Sequence, residues 1–113
     1  MNRTMRLTRK GILGLLLCAG FGVLVLPAQG QGGGDALYKS KCAGCHGADG
    51  KGQTAVGKAN SIRDLGSADV QAQSDDAIAG IIGNGKGKMP PYGKSLKADQ
   101  IKDLVAYIRT LKK

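Results

Sequence analysis

The feature that most constrains this chain is a five-residue segment in which Cys42 and Cys45 are separated by two small residues and followed at once by His46. This C-x-x-C-H arrangement is the signature of covalent haem attachment. Residues three apart lie on one face of a helix, so both thiols can reach the edge of one porphyrin and form thioethers with its vinyl groups. His46 can then turn its imidazole towards the iron. The segment therefore predicts one covalently bound haem c, with His46 as an axial ligand.

A C-x-x-C pair has two other common uses. A thioredoxin-like redox pair is expected within a βαβ pattern, and the sequence has none. A closed zinc site needs four ligands. Beyond the N-terminal segment, the chain offers only Cys42, Cys45 and His46 as cysteine or histidine ligands. Both alternatives therefore fit the sequence less well than haem.

Residues 1–30 have the pattern of a secretory signal peptide. An uncharged, apolar or small run from Gly11 to Leu26 follows a basic start, and small residues at Ala28 and Gly30 suit a cleavage site. The run is shorter than the roughly 20 residues that span a bilayer. Cleavage near Gly30 is expected, with an uncleaved anchor and lipidation at Cys18 as alternatives. The basic start comprises Arg3, Arg6, Arg9 and Lys10.

The remaining chain divides into a flexible leader over residues 31–34 and one domain over residues 35–113. Its patterns are helical, and no strand alternation is visible. A helix is expected to begin near Asp35 and run into the haem motif, and residues 47–59 are expected to form a glycine-rich loop. Ser67 is expected to cap a single helical turn. Ser74 suits the start of a firmer helix, which residues 83–85 stop.

The last helix has the clearest pattern, with apolar residues at i, i+3, i+4, i+7 and i+10. Lys97, at its start, is a poor N-cap. The stretch before it, residues 85–93, contains three glycines and two adjacent prolines and is expected to be a stiff loop. The apolar set of the helix is Ile101, Leu104, Val105, Ile108 and Leu111.

Met89, within that stiff loop, is the candidate for the second iron ligand. Met1 and Met5 belong to the predicted signal peptide, and His46 is the only histidine. A methionine is ordinarily a core gap filler, but the polar, rigid loop around Met89 is unlike a core element. His/Met ligation is a standard arrangement for haem c. Met89 is therefore predicted to bind the iron opposite His46.

These motifs, in this order, resemble the class I cytochromes c, specifically the short bacterial proteins with one haem. The resemblance covers residues 34–113 and includes residues 42–47, residues 87–90 and residues 104–108. It implies an all-α small cytochrome c fold, with three main helices and short helical turns wrapped around one covalent haem. It also implies that Gly34 and Tyr38, on the first helix, cross the last helix at Leu104 and Tyr107.

The chain departs from this family at one position. The family usually has a proline between the haem motif and the methionine loop, and its carbonyl accepts a hydrogen bond from the ligand imidazole. This sequence has no proline there; Ile62 or Arg63 occupies the place. The partner of His46 is therefore open. Arg63 is equally well read as a contact to a haem propionate or as a solvated surface residue.

The charge of the chain is strongly basic, with a formal net charge of +9. Four lysines bracket the methionine loop, where they are either an ordinary solvated surface or a docking face for an acidic redox partner. Nucleic acid is not expected, because the lysines lack interleaved aromatic residues. The four lysines are Lys86, Lys88, Lys94 and Lys97.

The sequence thus predicts a soluble periplasmic electron carrier, monomeric and not an enzyme, in which two axial ligands leave no iron position for a substrate. It exchanges one electron at a time with redox partner proteins and does not insert stably into a membrane if the signal is cleaved. Two alternatives belong to other classes. One is an electron-entry subunit of a larger oxidoreductase. The other is a haem enzyme or gas sensor in which Met89 dissociates.

Overall fold

All regular structure in residues 32–113, the part of the chain that the computed structural model describes, is helical apart from one isolated β-bridge. A π-helical segment, Tyr38–Cys42, joins the first two α-helices into one continuous rod. This rod and two later helices are the three main helices that the sequence predicted, so the all-α prediction is confirmed. The α-helices are α1 (Gly32–Leu37), α2 (Ala43–His46), α3 (Ala55–Ala59), α4 (Ala68–Gln71), α5 (Asp75–Asn84) and α6 (Ala98–Thr110).

The apolar stripe of α6 forms the centre of the core. Leu104, Val105 and Ile108 are buried, and Ile101 and Leu111 pack against them from the edges. Both α1 and α5 pack on this stripe. The start of α6 lacks a side-chain acceptor at Lys97, as expected, but the Lys97 amide donates to Gln100 Oε1 at 2.9 Å. One half of a capping box therefore compensates for the poor cap.

The crossing of α1 and α6 depends on Gly34 and Tyr38. A Cβ atom at Gly34 would lie 2.3 Å from the carbonyl oxygen of Asp103, so only glycine permits this close approach. Tyr38 is fully buried, and its ring lies 4.7 Å, centroid to centroid, from that of Tyr107. The crossing implied by the family resemblance is present.

The residues at the two ends of α5 explain where this helix begins and ends. Ser74 lies at the N-cap in extended conformation, and its hydroxyl accepts a hydrogen bond from the Ala77 amide at 3.1 Å. Ile78 and Ile82 are buried on one face. The helix ends where Gly85 takes a φ of 73°, a left-handed value that favours glycine. The predicted stop at residues 83–85 is thus confirmed, with Asn84 as the last helical residue.

Three local expectations differ from the structure. The first helix begins at Gly32 and not near Asp35, so Gly32–Gly34 form a helical turn where a flexible leader was expected. The reason is that packing against α6 outweighs the low helix propensity of glycine. Residues 55–59, expected to be loop, form α3 because the Thr54 side chain caps its start. Ser67 precedes α4 as predicted, but its side chain makes no capping hydrogen bond.

The predicted signal peptide, residues 1–30, lies outside the described residues. Within residues 32–113, no helix combines the length and the apolar character needed to cross a membrane.

Candidate haem-binding site

The C-x-x-C-H segment lies at the end of the first helical rod, where Cys42 closes the π-helical segment and His46 closes α2. Cys42 is half-buried and Cys45 is exposed, and both are free thiols. Burial raises the pKa of the Cys42 thiol, and the neighbouring Cys45 adds to the rise. The structure therefore leaves both cysteines available for covalent attachment, as the motif requires.

The backbone around His46 is fixed by hydrogen bonds from outside the motif. The carbonyl oxygens of residues 45, 46 and 47 each accept one from a different part of the chain. The donors are the Thr54 hydroxyl, the Gly52 amide and the Tyr38 hydroxyl, in that order, each at 2.7 Å. Burial raises the pKa of the Tyr38 hydroxyl, so this group stays protonated and donates at neutral pH. The end of α2 is thus held from three directions.

The His46 side chain is suited to metal binding. Burial lowers the pKa of its imidazole, which favours the neutral form that can donate a lone pair to a metal. Its Nδ1 atom is buried and has no hydrogen-bond partner in the part of the chain that the structure describes. Neither Ile62 nor Arg63 therefore supplies the carbonyl contact that the family usually provides. Buried polar atoms without a partner are rare and need a functional explanation.

Met89 lies in a short backbone turn between α5 and α6. The Lys86 amide donates to the Met89 carbonyl at 3.2 Å, and the Met89 amide donates to the Lys86 carbonyl at 3.0 Å. Gly87, between them, has a φ of 57°, which this turn requires. Met89 is half-buried and packs against the core. Residues 85–93 form the predicted loop, and the reciprocal pair of hydrogen bonds between Lys86 and Met89 closes its first part.

Two cavities, of about 240 Å³ and 180 Å³, meet at the predicted site. Cys42, His46 and Met89 line both of them, as does Lys86. Cys45 lines the smaller one. The larger cavity is walled mainly by aliphatic side chains, which suits a flat apolar macrocycle. Those side chains are Leu65, Val70, Ile78, Ile81, Ile82, Leu104 and Ile108.

Charged and amide side chains occupy few positions around the larger cavity. Arg63, Gln73 and Lys86 line the larger cavity, and the exposed Arg63 is therefore within the site rather than merely on the surface. Cations at the edge of an apolar cleft suit the carboxylates that a haem carries on one side. The four residues predicted for haem and the cations Arg63 and Lys86 thus line adjoining cavities, and the residues present fit haem.

The lysines predicted for docking divide into two sets. Lys86 and Lys88 are exposed and line the cavities, whereas Lys94 and Lys97 are exposed but line neither. Lys41, which the sequence analysis did not select, also lines the smaller cavity. Val56, 46% exposed, lies among these charges. The basic opening of the cleft therefore combines residues from the haem motif and from the methionine loop.

Comparison with known proteins identifies the family. Residues 31–108 match the family described as "Cytochrome C oxidase, cbb3-type, subunit III". The chain belongs to the cytochrome c family. It is a small class I cytochrome c with one covalently bound haem c, and its role is electron transport.

Curated relatives agree with this assignment. The chain is 34% identical over 104 residues to a cytochrome c6 of Gloeothece citriformis (strain PCC 7424), and the match covers 91% of each protein. It is 36% identical over 75 residues to a cytochrome c6 of Aphanizomenon flos-aquae, covering 66% of this chain and 83% of the relative. These matches indicate a haem protein that carries electrons.

Solved structures extend the similarity to the fold. The KustC0563 c-type cytochrome is 35% identical, with a TM-score of 0.66, and the match covers 71% of this chain and 98% of that protein. Cytochrome c6C from Synechococcus sp. PCC 7002 is 26% identical, with a TM-score of 0.52, covering 69% of this chain and 92% of the other. The small cytochrome c fold expected from the sequence is thereby confirmed.

Sequence reasoning missed two hydroxyl groups that organise this cytochrome's cleft. Thr54 lies within the segment expected to be loop, although its position before an alanine-rich turn is a typical N-cap signal. Tyr92, two residues after Pro90, is half-buried, and its hydroxyl donates to the Lys41 carbonyl at 3.1 Å. No local pattern indicates this second contact, because its two partners are 51 residues apart.

Proposed function

We propose that this cytochrome is a soluble periplasmic one-electron carrier whose haem c is bonded to Cys42 and Cys45 and coordinated by His46 and Met89. The observation that carries the proposal is the convergence of these residues, from distant parts of the chain, on adjoining cavities. The aliphatic wall of the larger cavity supports the same arrangement. Neither a thiol-redox pair nor a zinc site requires that wall.

The haem iron supplies a reversible Fe(II)/Fe(III) couple when the cofactor is bound. The chain's residues hold this cofactor and limit what reaches it. Cys42 and Cys45 would bond to its edge, and His46 and Met89 would both ligate the iron and leave no position for a substrate. A neutral thioether at Met89 raises the reduction potential. The aliphatic wall excludes water, and the tightly bonded ends of α2 and of the methionine turn resist rearrangement on electron transfer.

Carbon monoxide binding to the reduced holoprotein tests this arrangement. We expect the wild-type protein to resist carbon monoxide at neutral pH, because Met89 occupies the sixth position. Met89→Ala should keep the covalent haem, lower the reduction potential and bind carbon monoxide. The measurements are the optical spectrum with and without carbon monoxide and a potentiometric titration. Rapid binding to the wild type would contradict the carrier proposal and favour a haem enzyme or gas sensor.

The basic opening of the cleft supports docking to partner proteins with acidic surfaces. Lys41, Lys86 and Lys88 all line the smaller cavity, so an acidic partner would approach the haem edge there. We propose that the carrier acts as a monomer and catalyses no reaction of its own. Charged steering of this kind mainly increases the association rate.

One observation favours a second candidate function. The matching family description refers to a subunit of a cytochrome c oxidase, so this chain could instead be the electron-entry subunit of a larger oxidoreductase. The two proposals differ in assembly. Gel filtration of the native protein in a mild detergent extract should give a mass near that of one chain for the carrier and a much larger mass for the subunit.

We propose that residues 1–30 direct export and are then removed, since the apolar run precedes small residues at 28 and 30. Intact-mass spectrometry of the exported protein should show loss of this leader and a gain of one haem. Retention of Met1 in a membrane fraction would favour an uncleaved anchor. A lipid-modified Cys18 would identify the protein as a lipoprotein.

A further inference from the structure

Both ends of the methionine loop are attached to α5. At the start of the loop, the Gly85 amide donates to the Ile81 carbonyl at 2.9 Å. At its end, the Tyr92 amide donates to the Ile82 carbonyl, and the Gly93 amide to the Gly83 carbonyl, each at 2.9 Å. These bonds and the reciprocal pair between Lys86 and Met89 make the loop and the end of α5 one unit.

This unit is joined to the haem motif by a different contact. The Tyr92 hydroxyl donates to the carbonyl of Lys41, the residue immediately before Cys42, at 3.1 Å. Tyr92 and Met89 both line the smaller cavity, together with Cys42 and Cys45. Among the hydrogen bonds of residues 32–113, it is the one that connects residues 85–93 directly to residues 38–46.

The local bonds of the loop do not by themselves hold Met89 near His46. Ile78 and Ile82 keep α5 packed on α6. A shift of its loop end away from α2 would nevertheless leave every hydrogen bond within the unit intact while the distance between Met89 and His46 increased. A hydrogen bond from Tyr92 to Lys41 would break in that movement. It therefore opposes the displacement that would release a ligand on the loop.

We propose that Tyr92 is a positioning residue for Met89, and that its hydroxyl keeps the methionine loop closed over the iron through the carbonyl of Lys41. This inference rests on the proposed axial ligation by Met89. Its consequence is specific: loss of the hydroxyl increases access of external ligands to the iron and leaves covalent haem attachment intact.

The test measures the affinity of imidazole for the oxidised holoprotein, since imidazole binds only when Met89 leaves the iron. One ordinary hydrogen bond changes such an equilibrium by about fivefold. We expect Tyr92→Phe to raise the imidazole association constant by about fivefold and to weaken the sulfur-to-iron charge-transfer absorption. Met89→Ala should raise the association constant far more. The haem content after denaturation should be unchanged in both variants.

Two matched variants separate positioning from a general loss of stability. Tyr107→Phe removes a hydroxyl for which the described residues show no hydrogen bond, so imidazole affinity should stay at the wild-type value. Tyr38→Phe removes the fully buried bond to the Gly47 carbonyl, on the His46 side, and should reduce the free energy of unfolding without a comparable rise in imidazole affinity.

The possible outcomes distinguish this inference from the proposed function. An unchanged affinity in Tyr92→Phe, together with a strong increase in Met89→Ala, would overturn the role of Tyr92 and leave Met89 as the ligand. An unchanged affinity in Met89→Ala would overturn the axial ligation, and the inference with it. An equal rise in Tyr38→Phe or Tyr107→Phe would assign the effect to stability and reject a positioning role.

Discussion

On the His46 side of the cleft, the proposed ligand follows two cysteines within five residues, and the next carbonyls are held by donors from residues 38–54. On the Met89 side, the proposed ligand lies on a loop that is hydrogen-bonded to α5 at both ends. One hydrogen bond, from the Tyr92 hydroxyl to the Lys41 carbonyl, connects this loop to the segment that carries the haem motif. The first side is held by the proposed bonds to haem and by hydrogen bonds between residues close in sequence. The second is held by a backbone turn and by one contact between distant residues.

This difference indicates how stability and access to the iron are divided in the protein. Changes on the His46 side should reduce stability without exposing the iron, because the proposed thioethers and three hydrogen bonds to backbone carbonyls keep the motif in place. Changes on the Met89 side should expose the iron, because among the described residues one hydrogen bond joins the loop directly to the haem motif. Substitutions at tightly packed glycines on each side test this division.

The largest effect is expected for Gly85→Ala, on the Met89 side. The new Cβ would lie 2.6 Å from the Met89 carbonyl oxygen, and the φ of 73° is unfavourable for alanine. Together these terms should reduce the free energy of unfolding by about 3 kcal/mol. Chemical denaturation measures this loss, and imidazole affinity should rise with it. A stable variant with wild-type imidazole affinity would contradict the proposed weakness of this side.

The next effect is expected for Gly57→Ala, on the His46 side. Its Cβ would lie 2.2 Å from the Gly52 carbonyl oxygen and 2.8 Å from that of Cys45. Such overpacking should cost about 2 kcal/mol of unfolding free energy. Imidazole affinity should remain near the wild-type value, because Met89 is not displaced.

Gly80→Ala is the matched control for both glycine substitutions. Gly80 lies in α5, and its new Cβ would meet no atom within 4 Å. Alanine favours helix more than glycine does, by up to about 1 kcal/mol, so this variant should be unchanged or more stable. If Gly57→Ala raised imidazole affinity as much as Gly85→Ala, the two sides would not differ in the way proposed.

The smallest effect is expected for charge reversal at the cleft opening. It tests whether a partner protein docks on the Met89 side. Lys88→Glu, beside Met89, should reduce the association rate with an acidic partner by several-fold at low salt. Added salt should reduce the difference in rate between this variant and the wild type, because exposed charges are screened beyond about 8 Å at physiological ionic strength. Lys94→Glu should have less effect, because Lys94 lines neither cavity. Stopped-flow kinetics at several salt concentrations measures both rates.

An equal response of the two lysine variants would contradict docking at the opening and leave the lysines as an ordinary solvated surface. A rate that does not depend on salt would do the same. In both variants the reduction potential should stay unchanged, since the lysines are exposed. That constancy separates docking from a change at the iron.

Much of this cytochrome was readable from its sequence because the relevant chemistry is local. The spacing of Cys42, Cys45 and His46 predicts covalent haem within one helical turn. The 3.6-residue periodicity of α6 and the cap at Ser74 set two of the main helices. Met89 could be predicted as a ligand by elimination, and that role is still a prediction. α3 was missed, although Thr54 carries a local signal for it.

Tertiary structure decided the features that depend on distant residues. The glycines of residues 32–34 form a helical turn because α6 offers a packing surface, which outweighs their low helix propensity. Arg63 lines the cleft together with residues from distant parts of the chain, and among the described residues the Nδ1 of His46 has no hydrogen-bond partner. The Tyr92 hydroxyl meets the Lys41 carbonyl across 51 residues. Short-range patterns encode helices and attachment chemistry, but only chain folding determines which distant groups come within hydrogen-bonding distance.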